Sequence, residues 1–391
     1  MAAAGGVAIL ASAARSQAVV AGTVTQPARL DVSGWRAELR IDTVLSGPLL
    51  LGDTVTLAWE ELSASRAVRF PDGARVLVVL DALPTQSLWR KRFPARDQAR
   101  AVLVVAANGE AFLARPDGPT VYALQHYLAL TQRARAEGPG ARWLAEIVRA
   151  AHPALAREAL GILDAEPARL DAIDEDGAAA LLAAARDATR DPSVRGGALR
   201  LAARHRIADT REVALGLVAP GSPMRVEAYR ALAILPDGLT LAQAEDLLGD
   251  ADPALRGVGI EVAGRRVPRA RVLALVRDEA PAVRLAAGRA LLARDDDTIA
   301  DVVGLLDDPD ANVRAGVAEA VGARGADAIP PLRAVVDTGT ERAALAAVLG
   351  ISRAGRPGGA ALAAIAENHP NESVRAFAKL GLGEAPGSHK H

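Results

Sequence analysis

The chain has 391 residues, of which 50% are hydrophobic and only 3% are aromatic, and its formal net charge is −1. This near-neutral charge gives the whole chain no electrostatic attraction to nucleic acid or to anionic lipid, so a nucleic-acid partner is disfavoured. The absence of cysteine excludes disulfides, thiolate nucleophiles and cysteine-ligated metal sites.

The first 18 residues contain a short apolar run, from Ala2 to Ala13, followed by small residues of the Ala-x-Ala kind. This pattern is typical of a secretory signal, although the positively charged start is missing. Residues 1–18 are interpreted as a signal-like or disordered start, and export is favoured over the cytoplasm. No stretch reaches the roughly 20 apolar residues of a membrane span. The strong bias of the basic residues toward arginine indicates a bacterial source.

Residues 19–118 alternate between apolar and polar side chains, which predicts a small antiparallel β-barrel or sandwich. The predicted strands are 19–25, 35–45, 54–59, 75–80, 101–105 and 111–114, the last two forming a hairpin through Asn108-Gly109. The order of AGTV, WRAELRIDTVLSG, DTVTLAWEEL and GARVLVVLDAL resembles the OB-like, netrin-type modules of exported bacterial proteins. An OB-type barrel binds oligosaccharide, nucleic acid or peptide on its strand face.

Recognition of a single nucleic-acid strand requires exposed aromatic rings in a basic groove. The rings that this module offers are Trp35, Trp59, Phe70, Trp89 and Phe93. The one compact basic and aromatic cluster is Trp89, Arg90, Lys91, Arg92 and Phe93. We interpret it as a surface loop whose rings pack the end of the barrel, and it stays a candidate contact site.

After the β module the period of the apolar residues changes. Residues 119–140 predict a linking helix and a linker, and one phrase then recurs at intervals of about 30 residues through residues 141–382. Its copies are DPSVRGGALR (191), SPMRVEAYRAL (222), DPALRGVGIEV (252), APAVRLAAGRALL (280), DPDANVRAGVAEAV (308), TERAALAAVLG (340) and NESVRAFAKLGL (371), with HPALAREAL (152) as an atypical first copy. Residues 383–391 are interpreted as a flexible tail.

The phrase is typical of a helix start, because Asp is a favoured N-cap and Pro a favoured first helical residue, as at Asp191, Asp252 and Asp308. A second apolar helix precedes each copy, for example at 241–248 and 298–306. Each repeat therefore predicts two antiparallel helices, and the series predicts 7 to 8 stacked repeats. Glycines such as Gly257 and Gly259 are interpreted as sites of close helix packing.

These phrases resemble the HEAT-like repeats, in particular the short bacterial kind also found in phycobilisome-lyase-type proteins. The resemblance implies an α-α superhelix, so the predicted fold class is α+β multidomain, with a β-barrel or sandwich followed by a HEAT-type solenoid. It also implies a ladder of Asp and Arg that links neighbouring repeats. The matching residues are Asp191, Arg195, Arg225, Asp252, Arg256, Arg284, Asp308, Arg314, Arg342 and Arg375. Because the copies at 222, 280, 340 and 371 lack the Asp, we expect the ladder to be interrupted.

The sequence carries none of the motifs H-E-x-x-H, G-x-S-x-G or G-x-x-x-x-G-K-[ST]. Acidic clusters at 171–176, 295–297 and 307–310 are interpreted as turns, so no catalytic residue, cofactor or metal is predicted. The predicted function is a non-catalytic scaffold or adaptor that binds a partner protein through the concave face of the solenoid. Three alternatives stay open: a lyase-type or chaperone-type repeat protein associated with an enzyme, a repeat-fold DNA glycosylase, and nucleic-acid binding by the β module. A glycosylase would need an aromatic groove, and Trp143 is the only tryptophan in the repeats.

Overall fold

A computed structural model of the chain describes residues 9–13, 16–60, 70–83, 91, 93, 102–105, 111–294 and 299–383. These residues belong to two compact units, Met1–Leu235 and Pro236–His391. The boundary between the units falls after the second copy of the full phrase, so both units contain helical repeats.

The first unit begins with a closed five-stranded barrel. Its strands pair in the order β1-β2-β3-β5-β4, and β4 pairs again with β1 to close the barrel, while the short β6 also pairs with β4. The strands are β1 (Ala18–Arg29), β2 (Gly34–Ser46), β3 (Thr54–Glu60), β4 (Arg75–Ala82), β5 (Val102–Val105) and β6 (Phe112–Ala114). This closed barrel confirms the predicted OB-like module.

Two pairings of the barrel differ from the prediction. Strands β3 and β5 run parallel, with Thr56 opposite Val102, so the barrel is not wholly antiparallel. The predicted hairpin is wrong, because β5 and β6 both pair with β4, β6 through Phe112 opposite Val78. The proposed turn at Asn108-Gly109 lies outside the described residues. Alternation indicates which face a side chain occupies, but it does not indicate which strand is the neighbour.

Helices form most of the remaining described structure. In chain order they are α1 (Ile9–Ala13), α2 (Gly118–Ala129), α3 (Gln132–Arg135), α4 (Gly138–Ala150), α5 (Pro153–Ala165), α6 (Pro167–Asp171), α7 (Glu175–Arg186), α8 (Pro192–Arg204), α9 (Thr210–Leu217), α10 (Arg225–Ile234), α11 (Leu241–Leu247), α12 (Pro253–Ala263), α13 (Arg269–Leu275), α14 (Pro281–Leu292), α15 (Ile299–Val302), α16 (Ala311–Gly322), α17 (Ile329–Thr338), α18 (Glu341–Arg353), α19 (Arg356–Asn368) and α20 (Glu372–Gly383). Short 3-10 helices lie at Val303–Asp307 and Gly325–Ala328. In the described part of the chain, every helix is too short or too polar to cross a membrane.

The helices that carry the repeated phrase pack side by side within each unit. We call them the phrase helices: α5, α8, α10, α12, α14, α16, α18 and α20. In the first unit α5 packs on α8 and α8 on α10, and in the second unit α12, α14, α16, α18 and α20 follow one another. Helices α11, α13, α15, α17 and α19 form the other layer of the second unit, and one apolar core lies between the layers. This neighbour-on-neighbour packing confirms the predicted helical repeat region.

Two glycines of α12 show how small residues contribute to this packing. A Cβ atom at Gly259 would lie 2.9 Å from the carbonyl oxygen of Ala244 and 3.0 Å from the Cβ of Leu247, so glycine lets α12 approach α11 closely. A Cβ at Gly257 would meet nothing within 4 Å, so the packing interpretation is wrong for that residue.

The N-terminal helix α1 is part of the folded first unit. Ile9 and Leu10 are buried, with 1% and 3% of their surface exposed, and the backbone N–H of Ala11 donates to the carboxylate of Glu158 on α5 at 2.9 Å. Burial raises the pKa of Glu158 above its ordinary value, although hydrogen bonds from backbone N–H groups of α1 oppose this. Part of the predicted signal-like start is therefore a packed helix, and export stays a prediction.

Candidate functional site

Three phrase helices of the second unit begin after turns of the same construction. The carboxylate of Asp252 accepts a hydrogen bond from the backbone N–H of Ala254 at 2.9 Å and caps α12. In all three turns an aspartate stands two residues before the N-cap residue, which is Asp252, Ala280 or Asp310. Its carboxylate accepts from the backbone N–H of that N-cap residue at 2.8 to 2.9 Å. We call this place the ladder position, and Asp250, Asp278 and Asp308 occupy it. These bonds satisfy N–H groups that a helix start leaves without partners.

Arg256 and Arg284 connect neighbouring repeats through the ladder position. Nε and Nη2 of Arg256 donate to the two carboxylate oxygens of Asp278 at 2.8 and 2.7 Å. Arg284 binds Asp308 in the same way, with both distances 2.7 Å. In each arginine Nη1 donates instead to carbonyl oxygens of the turn before its own helix. Each guanidinium thus joins the turn before its own helix to the turn of the next repeat, and the bidentate geometry fixes the distance between the two turns.

The two ladder ion pairs are shielded from water. The side chains of Asp278 and Asp308 are 8% and 4% exposed, and those of their arginines 9% and 12%. Burial raises the pKa of each carboxyl, but hydrogen bonds from the arginine and from a backbone N–H outweigh it, so both pKa values lie below the ordinary range. Removing one member of such a pair leaves a buried charge without compensation, which is strongly destabilising.

Two arginines of the repeated phrase contact ladder aspartates, but the phrase does not single out both of those aspartates. Asp252, predicted for the ladder, is an N-cap, and Asp278, which the phrase does not single out, binds Arg256. The predicted interruption of the ladder between the copies at 252 and 280 is therefore wrong. Asp308 binds Arg284, and Asp310 is the residue that caps α16.

In the first unit the predicted residues do not form the same ladder. Asp191 caps α8 by accepting from the backbone N–H of Ser193 at 2.9 Å, and its other oxygen lies 3.9 Å from Arg157. Arg195, which is 5% exposed, donates from Nε to the carbonyl oxygen of Ala185 at 3.0 Å. Arg225 begins α10, with its guanidinium 5.8 Å from the centre of the Tyr229 ring. An Asp six residues before the phrase arginine is the sequence signal that identifies a ladder position.

The last two predicted arginines make contacts of two other kinds. Arg342 reaches back to Asp307, donating from Nε to its carboxylate at 2.9 Å and from Nη2 to its carbonyl oxygen at 2.7 Å. This pair is much more exposed than the ladder pairs, at 48% and 40%. Arg375 donates from Nη1 to the carbonyl oxygens of His369 and Pro370 at 2.7 and 2.9 Å.

Arg314 stands where the ladder ends. Its Nη1 donates to the carbonyl oxygens of Asp308 and Pro309 at 2.7 and 3.0 Å, the same two contacts that Arg256 and Arg284 make with their own turns. Its Nε and Nη2 have no hydrogen-bond or ion-pair partner in the part of the chain that the structure describes. The residue at the next ladder position is Thr338, whose hydroxyl donates to the carbonyl oxygen of Ala334 at 2.8 Å.

A groove opens beside Arg314 on the phrase helices. It has a volume of about 490 Å³ and lies on α16, α18 and α20. Leu345, Leu349 and Phe377 are partly exposed and form its apolar lining together with three alanines. Its charged lining residues are Arg314, Glu341 and Arg342. The groove therefore combines apolar side chains with an incompletely paired guanidinium.

A smaller groove of about 350 Å³ lies between the phrase helices α5 and α8 of the first unit. Its three arginines face carboxylates of the same unit: Arg200 pairs with Glu227, and Arg204 pairs with Asp164. The third, Arg157, lies near Asp191 as described. The guanidinium groups of this groove therefore have carboxylate neighbours within the same unit.

The rings of the β module lie mostly inside the barrel. Trp59 and Phe70 are 1% and 4% exposed, and their ring centres are 4.7 Å apart in an edge-on arrangement. Trp35 stacks on Trp59 at 6.2 Å. Phe93 is 3% exposed and packs beside β3 and β5, whereas Lys91 is exposed. Trp89, Arg90 and Arg92 of the candidate contact cluster lie outside the described residues.

The described histidines belong to no cluster that could hold a metal ion, and Trp143 belongs to a small aromatic cluster. Among the described residues no group of three or more His, Asp or Glu side chains is placed to hold a metal ion. Trp143 on α4 stacks on His126 with ring centres 4.4 Å apart, and Tyr122 lies against both rings. This is one small aromatic cluster at the surface of the first unit.

Residues 268–352 match a protein-family model described as HEAT repeats. The matched segment runs from the start of α13 almost to the end of α18. It includes the ion pair of Arg284 with Asp308, the open edge of Arg314 and most of the groove residues. The chain therefore carries HEAT repeats after an OB-like barrel. A search of the curated proteins finds no match to the chain.

Proposed function

We propose that this protein is a non-catalytic scaffold that binds a partner protein through the groove on α16, α18 and α20. HEAT repeats generally serve as protein-interaction scaffolds. The observation that supports this groove as the binding surface is its lining: Leu345, Leu349 and Phe377 present apolar surface to solvent beside charged residues. Apolar anchors inside a polar rim are typical of protein interfaces.

The position of the groove in the repeat region supports the same proposal. Phrase helices of the second unit pack directly on one another, whereas neighbouring helices of the other layer make little mutual contact. The tighter layer lies on the inside of a curved stack, which is the surface that repeat proteins offer to their partners. The groove on α16, α18 and α20 belongs to that layer.

Two groove variants and one matched control test this proposal. Leu345→Arg and Leu349→Arg each place a charge among the apolar groove residues. Leu273→Arg introduces the same change on α13 in the other layer, where Leu273 is 38% exposed. Partners that co-purify with the wild-type protein from host extract are identified, purified and titrated against each variant.

We expect the groove variants to weaken partner binding about tenfold or more, because they bury a charge in an apolar interface, and Leu273→Arg to leave it unchanged. Circular dichroism checks that all variants keep their helix content. Equal binding by all folded variants would contradict the proposal.

A further inference from the structure

We propose that the partner bound in this groove supplies a carboxylate to Arg314 and so completes the ladder that the chain itself leaves open. The inference rests on the proposed function and names the chemistry of the partner. It predicts an acidic side chain flanked by large apolar side chains, rather than a uniformly acidic segment.

The comparison of three equivalent arginines carries the inference. Arg256, Arg284 and Arg314 each use Nη1 to bind two carbonyl oxygens of the turn before their own helix. In Arg256 and Arg284 the Nε and Nη2 edge points to the next repeat and holds a carboxylate there in bidentate geometry. Arg314 is oriented by the same carbonyl contacts, so its edge is preorganised for the same ligand and lacks it among the described residues.

Among the described residues, no acidic side chain occupies the place that would fill this edge. Thr338 stands at the ladder position of the next repeat, and its hydroxyl is bonded to its own helix. Asp337 is bonded to Arg333 at 3.1 and 3.2 Å, and Asp307 is bonded to Arg342. Glu341 is exposed on the rim of the groove and is not within ion-pair distance of Arg314 among the described pairs.

The surroundings of Arg314 define the ligand further. Arg314 is half-buried and lines the groove, with Ala315 on its own helix and Leu345 on α18. A carboxylate bound there is partly removed from water, where a charge-assisted bidentate contact is stronger than at the surface. The neighbouring Arg342 already has Asp307, and Glu341 repels further acidic groups. One carboxylate beside apolar side chains therefore fits the groove better than several.

The probes are synthetic amphipathic helical peptides with leucines at positions i and i+4, which match the apolar lining. A single glutamate is placed at each of the remaining positions in turn, and each peptide has a counterpart with glutamine there. Binding to the full chain is measured by fluorescence polarisation for the wild type and for Arg314→Gln. Thr338→Asp offers a carboxylate from the chain itself, and Arg333→Gln is a control because Arg333 lies outside the groove lining.

For at least one position we expect the glutamate peptide to bind the wild type about tenfold more tightly than its glutamine counterpart, as expected for a hydrogen bond to a charged group. This preference should disappear in Arg314→Gln and in Thr338→Asp, remain in Arg333→Gln, and weaken at high salt. The glutamine peptides should bind Arg314→Gln and the wild type alike.

The inference is overturned if glutamate and glutamine peptides bind alike in every register, if the preference survives in Arg314→Gln, or if none of the peptides binds. A different result contradicts the proposed function: the purified partner binds Leu345→Arg and Leu349→Arg with the same affinity as the wild type. If binding of the partner needs Leu345 and Leu349 but not Arg314, the proposed function is supported and the inference about the carboxylate is wrong.

Discussion

Replacing Arg284 by methionine should uncouple two neighbouring repeats. Methionine keeps most of the apolar stem but removes the guanidinium, which bonds both oxygens of Asp308 at 2.7 Å and two backbone carbonyl groups. Asp308 is only 4% exposed, so its charge would stay buried with no bidentate counter-ion and with the backbone N–H of Asp310 as its remaining hydrogen-bond donor. Breaking such a pair costs about 3–5 kcal/mol. Because the Arg284 side chain is 12% exposed and admits some water, we expect about 3 kcal/mol.

Arg342→Met is the matched control, because Arg342 also lies in the first turn of a phrase helix and has an aspartate partner in a neighbouring repeat. That pair is 48% and 40% exposed, and exposed pairs contribute about 0–1 kcal/mol. Urea unfolding followed by circular dichroism measures the loss of stability, and hydrogen exchange locates it to the turns around residues 278 and 308. Arg284→Met combined with Asp308→Leu should recover part of the loss. Equal effects of Arg284→Met and Arg342→Met would refute the reasoning.

Three further outcomes follow from the packing and the charges. Folding lowers the pKa values of Asp278 and Asp308. Their stabilising effect is therefore complete above the unfolded pKa of about 3.9 and is lost as the pH falls through the folded pKa values. Acid titration of the unfolding free energy should show this loss of stability, and Asp308→Asn should make the loss smaller. In α12, Gly257→Ala should stabilise the protein by about 1 kcal/mol, and Gly259→Ala should destabilise it by about 1–3 kcal/mol. If urea unfolding gave both stability changes the same sign, the described packing of α12 on α11 would be contradicted. Leu10→Ala should lower the unfolding free energy of the first unit by about 2–5 kcal/mol, whereas an unchanged thermal midpoint would show that α1 contributes nothing to the fold.

The strands and the phrase helices could be predicted from local pattern. Alternation placed every strand within a few residues, because barrel strands expose one face to the core and the other to solvent. The parallel pairing of β3 with β5 could not be predicted, since it depends on how the barrel closes. The packing of α1 could not be predicted either, since it involves a contact with Glu158, far along the chain.

The ladder shows where a repeated phrase misleads. In DPALR the Asp-Pro pair stands directly at the helix start, but in DPDANVR Pro309 precedes the N-cap Asp310. Alignment on the Asp-Pro pair therefore equates Asp252 with Asp308, which have different roles. Counting back six residues from the arginine finds Asp278 and Asp308 together. In the next repeat, counting back two residues from the N-cap Thr340 finds Thr338 in place of the acid. The open edge of Arg314 becomes visible only when these contacts are compared in three dimensions.

The central claim is that the groove on the phrase helices is the surface that binds a partner protein. Site-specific photo-crosslinking in the native host tests it most directly, with the photoreactive residue placed at Leu345 in the groove or at Leu273 in the other layer. We predict a discrete crosslinked product from Leu345 that disappears in the Leu349→Arg background, and no such product from Leu273. The same products from both positions, or a product from Leu345 that persists with Leu349→Arg, would contradict the claim.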